Sequence, residues 1–106
     1  MSKNIIELTS KNFNSFIKEG LVVVDFWAEW CGPCKIMEPV YEEVAKELKG
    51  EVKFGKVNVD KNTELAQNFF IMSIPTVIFF KKGKHADRVI GVMSREELIK
   101  KIGEVK

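Results

Sequence analysis

The stretch Leu21 to Ala28, LVVVDFWA, restricts the chain more than any other. It is rich in β-branched and aromatic residues, and only Asp25 carries a charge. A strand of this kind has no face to give to solvent, so it belongs in the interior of a sheet covered on both sides. Cover on both sides calls for helices, and apolar residues at helical spacing stand on either flank. Before it, Phe13, Phe16 and Ile17 fall at i, i+3, i+4, and Gly20 follows. After it, Met37, Val40, Tyr41, Val44 and Leu48 form one apolar stripe that ends at Gly50. Glu42 precedes Lys46 in the favourable i, i+4 order. Pro39 lies inside the stripe and predicts a kink, because its ring removes one backbone hydrogen bond.

The remaining elements follow from the same patterns. Ile5, Ile6 and Leu8 read as a first strand, and Val52 to Val59 as a third, in which Gly55 marks a bulge or a close approach. A short helix is expected around Thr63 to Asn68. Thr76 to Phe80 is a strand, Lys82-Gly83 a turn, and Asp87 to Ile90 its antiparallel partner. Ser94-Arg95-Glu96-Glu97 is a capping box opening a last helix that carries Leu98, Ile99 and Ile102 inward. That helix also offers Glu96/Lys100 and Glu97/Lys101 as i, i+4 ion pairs. The order is β-α-β-α-β-α-β-β-α, an α/β fold with a mixed sheet sandwiched by helices. At 106 residues the chain is one domain, 1–106.

Charge excludes several functions. With 17 basic and 15 acidic side chains, the net charge of +2 gives no electrostatic footprint for nucleic acid. No apolar run approaches the length of a membrane span, and MSKNIIELTS has no signal-type apolar segment. The expected location is therefore cytoplasmic, where thiols stay mostly reduced.

Both cysteines of the chain lie directly beyond the apolar run, in WCGPCK, Trp30 to Lys35. Four chemistries compete for them. A structural disulfide would close so small a loop that it would restrain the unfolded chain little. A zinc site needs four ligands, and the one histidine, His85, lies far away beside a turn. Covalent haem would need histidine where Lys35 stands. Dithiol redox chemistry needs two thiols at this spacing on a strand-to-helix corner. If the helix begins near Cys31, its free N–H groups and dipole favour the thiolate there. Cys34 then lies one turn along, and Pro33 restrains the loop with its fixed φ.

Two charges bear on that site. An ionised Asp25 within the apolar run is costly, so its pKa should rise, and a buried acid close to a dithiol is a candidate proton carrier. An Asp satisfied by hydrogen bonds, or one facing solvent at a sheet edge, is the alternative. Lys56 lies in phase with Val52 and Phe54 and either partners Asp25 or snorkels to the surface.

With these residues in place the chain closely resembles the thioredoxin family. DFWAEWCGPCK, Asp25 through Lys35, is similar to the family's active-site segment at every position. Ser73-Ile74-Pro75-Thr76 resembles its cis-proline loop, Pro39 its kinked helix, Lys56 to Asp60 its third strand, and Gly83 and Gly91 its late glycines. The resemblance implies a thioredoxin fold and a protein-disulfide reductase without a cofactor or metal. It implies Cys31 as nucleophile, Cys34 as resolving thiol, Asp25 as the group exchanging Cys34's proton, and Lys56 as its tuner. Trp30, Gly32, Pro33, Ile74, Pro75 and Gly91 would form the surface that receives substrate. Pro75 would be cis, and the Ile74 backbone would pair with an extended substrate segment. The implied partners are protein disulfides and a thioredoxin reductase, with the chain acting as a monomer.

Two rival functions use the same fold. An oxidase or isomerase is disfavoured because such relatives usually place histidine between the cysteines, where this chain has Gly32-Pro33. A redox-independent binding module remains open. One departure from the family concerns Phe70, which stands where glycine or a small polar residue is common. As a large aromatic it is expected to pack inward; exposed, it would bear on partner choice.

Overall fold

The computed structural model describes residues 3–106. Its elements are β1 (Ile5–Glu7), α1 (Phe13–Ile17), β2 (Leu21–Trp27), α2 (Gly32–Glu47), β3 (Lys53–Asn58), α3 (Thr63–Asn68), β4 (Thr76–Lys81), β5 (Lys84–Ile90) and α4 (Arg95–Val105). The sheet order is β1-β3-β2-β4-β5. The apolar run thus becomes the central strand, parallel to β3 and antiparallel to β4.

Alternate β2 residues serve opposite faces. Val22, Val24 and Phe26 meet Phe13 and Ile17 of α1 and Leu65 of α3. Val23 meets Met37, Tyr41 and Val44 of α2 and Leu98 and Ile102 of α4. Asp25 lies in phase with Val23 and so points to the α2 side. α2 continues through Pro39, so the ring does not end the helix.

Gly55 answers as a close approach. Its pairing with Val24 is in register, and a Cβ there would lie 2.6 Å from Leu8 Cδ1. β5 begins at Lys84 rather than Asp87, and a register shift falls between Phe79 and Phe80 of its partner. The capping box forms as expected: Glu97 N–H donates to Ser94 Oγ, and Ser94 N–H to the Glu97 carboxylate. That commitment displaces the expected Glu97/Lys101 pair. Lys101 instead bridges Asp87 and Glu104, and its hydrogen bond holds the Asp87 carboxyl below its ordinary pKa.

Candidate active site

β2 delivers the chain to the corner where α2 starts. Cys31 is the N-cap of α2 in extended conformation, and its Sγ accepts the Cys34 N–H at 3.1 Å. Gly32 and Pro33 form the first helical positions, where a missing proline N–H leaves no helical bond unmade. The two sulfurs are bonded to each other, with Cα atoms 5.3 Å apart, and the residues are only 2% and 3% exposed. Once reduced, Cys31 Sγ would keep the helix N-terminus beneath it, which favours the thiolate.

The two cysteines open onto different cavities. Cys31 lines a front groove of about 480 Å³, together with Trp30, Gly32, Pro33, Met72 and Ile74. No charged residue lines this groove. Its far wall is the loop before β4, where the Ile74–Pro75 peptide bond is cis and the Ile74 carbonyl lies 3.8 Å from Cys31 Sγ. Thr76 Oγ1 donates to the Ser73 carbonyl at 2.6 Å and ties that loop. Pro75 is buried behind the wall, and its carbonyl accepts the Gly91 N–H at 2.8 Å. Gly91 has φ of +100°, a conformation other residues rarely adopt. Trp30 is 70% exposed, yet its ring is anchored: Nε1 donates to Asp60 Oδ2 at 2.8 Å. Of the six residues expected to receive substrate, Trp30, Gly32, Pro33 and Ile74 line the groove itself, and Pro75 and Gly91 brace it.

Cys34 lines a back crevice of about 360 Å³ with Asp25, Trp27, Glu38, Tyr41 and Lys56. Asp25 is 6% exposed, and its Oδ1 has no hydrogen-bond partner. Burial pushes its pKa from 3.8 up to about 7; the Lys56 charge opposes the rise and the Glu38 charge adds to it. Asp25 and Lys56 are register partners on β2 and β3. No ion pair joins them among the described residues. The Lys56 ammonium sits 5.0 Å from the Trp27 ring centroid instead. A cation over an aromatic face keeps a favourable partner without leaving the crevice. The structure therefore brings Asp25, Lys56 and Cys34 to one cavity but sets Lys56 at a distance from the carboxyl.

Phe70 departs from expectation. It is 77% exposed, and its neighbour Phe69 takes the interior, against Phe13, Phe26 and Phe80. The cause is the end of α3. Ile71 N–H bonds back to the Ala66 carbonyl and Phe70 N–H to Gln67, both at 3.0 Å. This paired closure puts the residue between them in the left-handed region, and Phe70 has φ of +55°. Glycine meets that demand without strain, which accounts for the small residue common there in the family.

Four residues of the site escaped the sequence reading. Glu38 stands one helical turn beyond Cys34, and that spacing was a usable signal. Tyr41 reads as one more apolar stripe residue; its hydroxyl lies 2.6 Å from the Gly55 carbonyl and 3.0 Å from that of Val23. Asp60 and Met72 carry no sequence signal, since only the fold brings them to Cys31.

A sulfur pair that passes between dithiol and disulfide carries two electrons, so this fold and corner define a protein thiol-disulfide oxidoreductase. The comparisons with known proteins agree. The thioredoxin family model matches residues 4–104. A thioredoxin of Chlamydia caviae is 47% identical over 97 residues, which span 92% of this chain and 94% of that protein. One from Staphylococcus saprophyticus is 46% identical over 89% of this chain and 90% of its own. The crystal structure of a Malassezia sympodialis thioredoxin superposes with a TM-score of 0.84 at 36% identity, covering 94% of this chain and 89% of that one. The chain belongs to the thioredoxin family.

Proposed function

We propose that this chain reduces protein disulfides through a mixed disulfide on Cys31. The Cys31 thiolate attacks one sulfur of the substrate disulfide, forms a new S–S bond and releases the first substrate thiolate. Cys34 then gives its proton to the Asp25 carboxylate and attacks the Cys31 sulfur. The Cys31–substrate bond breaks, the second substrate thiolate leaves, and two electrons have passed to the substrate. The oxidised chain is returned to the dithiol by a thioredoxin reductase. Lys56 tunes Asp25, and Trp30, Gly32, Pro33, Ile74, Pro75 and Gly91 receive the substrate segment. The chain works as a single domain and a monomer, in the cytoplasm. No helix among the described residues is long and apolar enough to cross a membrane.

One observation carries this reading: the two bonded cysteines line different cavities, Cys31 the apolar groove and Cys34 the crevice that holds Asp25. A substrate held on Cys31 blocks the front. The resolving thiol then needs an acid–base group it can reach from behind, and Asp25 is there with a pKa of about 7. The roles are tested with Cys34→Ser and Cys31→Ser incubated with insulin. Mass spectrometry without reductant should find a one-to-one mixed disulfide on Cys34→Ser alone. Equal trapping by both variants would refute the assigned order.

A further inference from the structure

We propose that Phe70 and Met72 extend the front groove into an apolar arm that selects disulfide-bearing segments with a bulky apolar residue close to the attacked cysteine. This rests on Cys31 as the attacking thiol. The turn that ends α3 needs a left-handed residue at position 70, and glycine would serve it better. The core does not need the Phe70 ring, because Phe69 fills that place. A bulky residue held in a strained conformation with its side chain in solvent points to a role at the surface.

Its surroundings indicate what it meets. Ile71 and Met72, the next two residues, both line the groove that contains Cys31. Met72 is 90% exposed, two residues from the likewise solvent-facing Phe70, and no charged residue stands in the chain from Phe70 to Ile74. A segment paired with the Ile74 backbone must run along this loop, and alternate side chains of an extended segment face the same way. Those facing the arm find a phenyl ring and a flexible thioether, which suit aliphatic or aromatic side chains. Charged or amide side chains would lose water there and gain no partner.

The test uses two synthetic peptides, each closed by one disulfide, with leucine or glutamine at the positions flanking both cysteines. Hydroxyethyl disulfide, which has no flanking residues, reports the intrinsic chemistry. The wild-type protein should prefer the leucine peptide about tenfold in kcat/KM, equivalent to about 1.4 kcal/mol. Phe70→Asn, which tolerates the left-handed conformation, should bring the preference below about twofold with hydroxyethyl disulfide unaffected. Phe70→Tyr should keep it. Equal rates for the two peptides with wild type, or an undiminished preference in Phe70→Asn, would overturn the proposal alone. A wild-type protein inert toward all three probes would overturn the reductase reading and this proposal with it. A concentration-dependent dimer in wild type that Phe70→Asn abolishes would assign the arm to self-association and overturn the proposal as well.

Discussion

The front and back of the dithiol sit three residues apart in sequence, yet they have opposite characters. The groove at Cys31 has no charged residue in its lining, whereas the crevice at Cys34 is walled by Asp25, Glu38, Glu42, Lys35, Lys56 and Lys61 among others. In the proposed reading, a partner meets the front through shape and apolar area, which do not depend on pH, while the charges around the buried acid at the back respond to pH. One turn of α2 separates them, because Cys31 caps the helix and Cys34 lies inside it. The contrast teaches that recognition and proton handling can vary independently in this protein, and each prediction below strikes one side while reading both.

The largest effect belongs to the back. In the oxidised protein the Asp25 pKa is about 7 against an ordinary 3.8, so between these values the native state holds a proton that the unfolded chain has released. Stability therefore falls as pH rises from about 4 through 7, by roughly 4 kcal/mol over the full window, and levels off above it. Asp25→Asn should remove that slope and leave the oxidised protein the more stable of the two at alkaline pH, as urea unfolding across the range would report. The same variant should slow release of substrate from the mixed disulfide by about tenfold or more, while formation of that species on Cys31 proceeds normally. A wild-type stability curve without this descent would mean that Asp25 is ionised throughout and that the crevice is solvated more deeply than its geometry indicates.

A middle-sized effect belongs to the front. Phe70→Gly releases a left-handed strain of about 1–2 kcal/mol and loses no core contact, so it should stabilise the fold. For a chain of this length, 1 kcal/mol corresponds to about 4–8 °C in Tm. Calorimetry on the oxidised protein decides it. A lower Tm would show the phenyl ring supporting the fold, and its exposure would no longer call for a binding role.

What the sequence disclosed followed what burial constrains. β2 was legible because a strand covered on both faces must be apolar throughout, and Ser94 with Glu97 announced the start of α4 by a local exchange of hydrogen bonds. β5 was legible only from Asp87, because an edge strand with exposed residues such as Lys84 and His85 is under little compositional pressure. Phe70 was misread because the rule that aromatics bury is an average, and here the closing turn of α3 assigns the interior to Phe69. Within the site, Cys31, Cys34 and Asp25 could be found along one stretch of chain. The bond from Trp30 to Asp60 and the place of Met72 beside Cys31 depend on loops converging from three separate elements, which no local pattern encodes. Lys56 lay between the two cases: strand phase offered it as a partner of Asp25 or as a surface lysine, whereas its register opposite Asp25 and its seat over Trp27 came only with the fold.

The smallest effect separates the two charges that flank Asp25. Lys56 holds its pKa down and Glu38 pushes it up, the lysine more strongly. Lys56→Gln should therefore move the Asp25 titration to higher pH and Glu38→Gln to lower pH, the latter by roughly a few tenths of a unit, since Glu38 is exposed and screened. Carboxyl carbon shifts in NMR follow Asp25 directly in both variants. The pH midpoint for release of the mixed disulfide should shift in the same two directions, because it reads the same carboxyl. Salt should weaken the Glu38 effect first, as the glutamate is exposed. Neither variant should change which peptides the front groove prefers, since neither residue lines it. A change in preference on removing Glu38 would join the two sides through α2, and the separation of recognition from proton transfer would have to be given up.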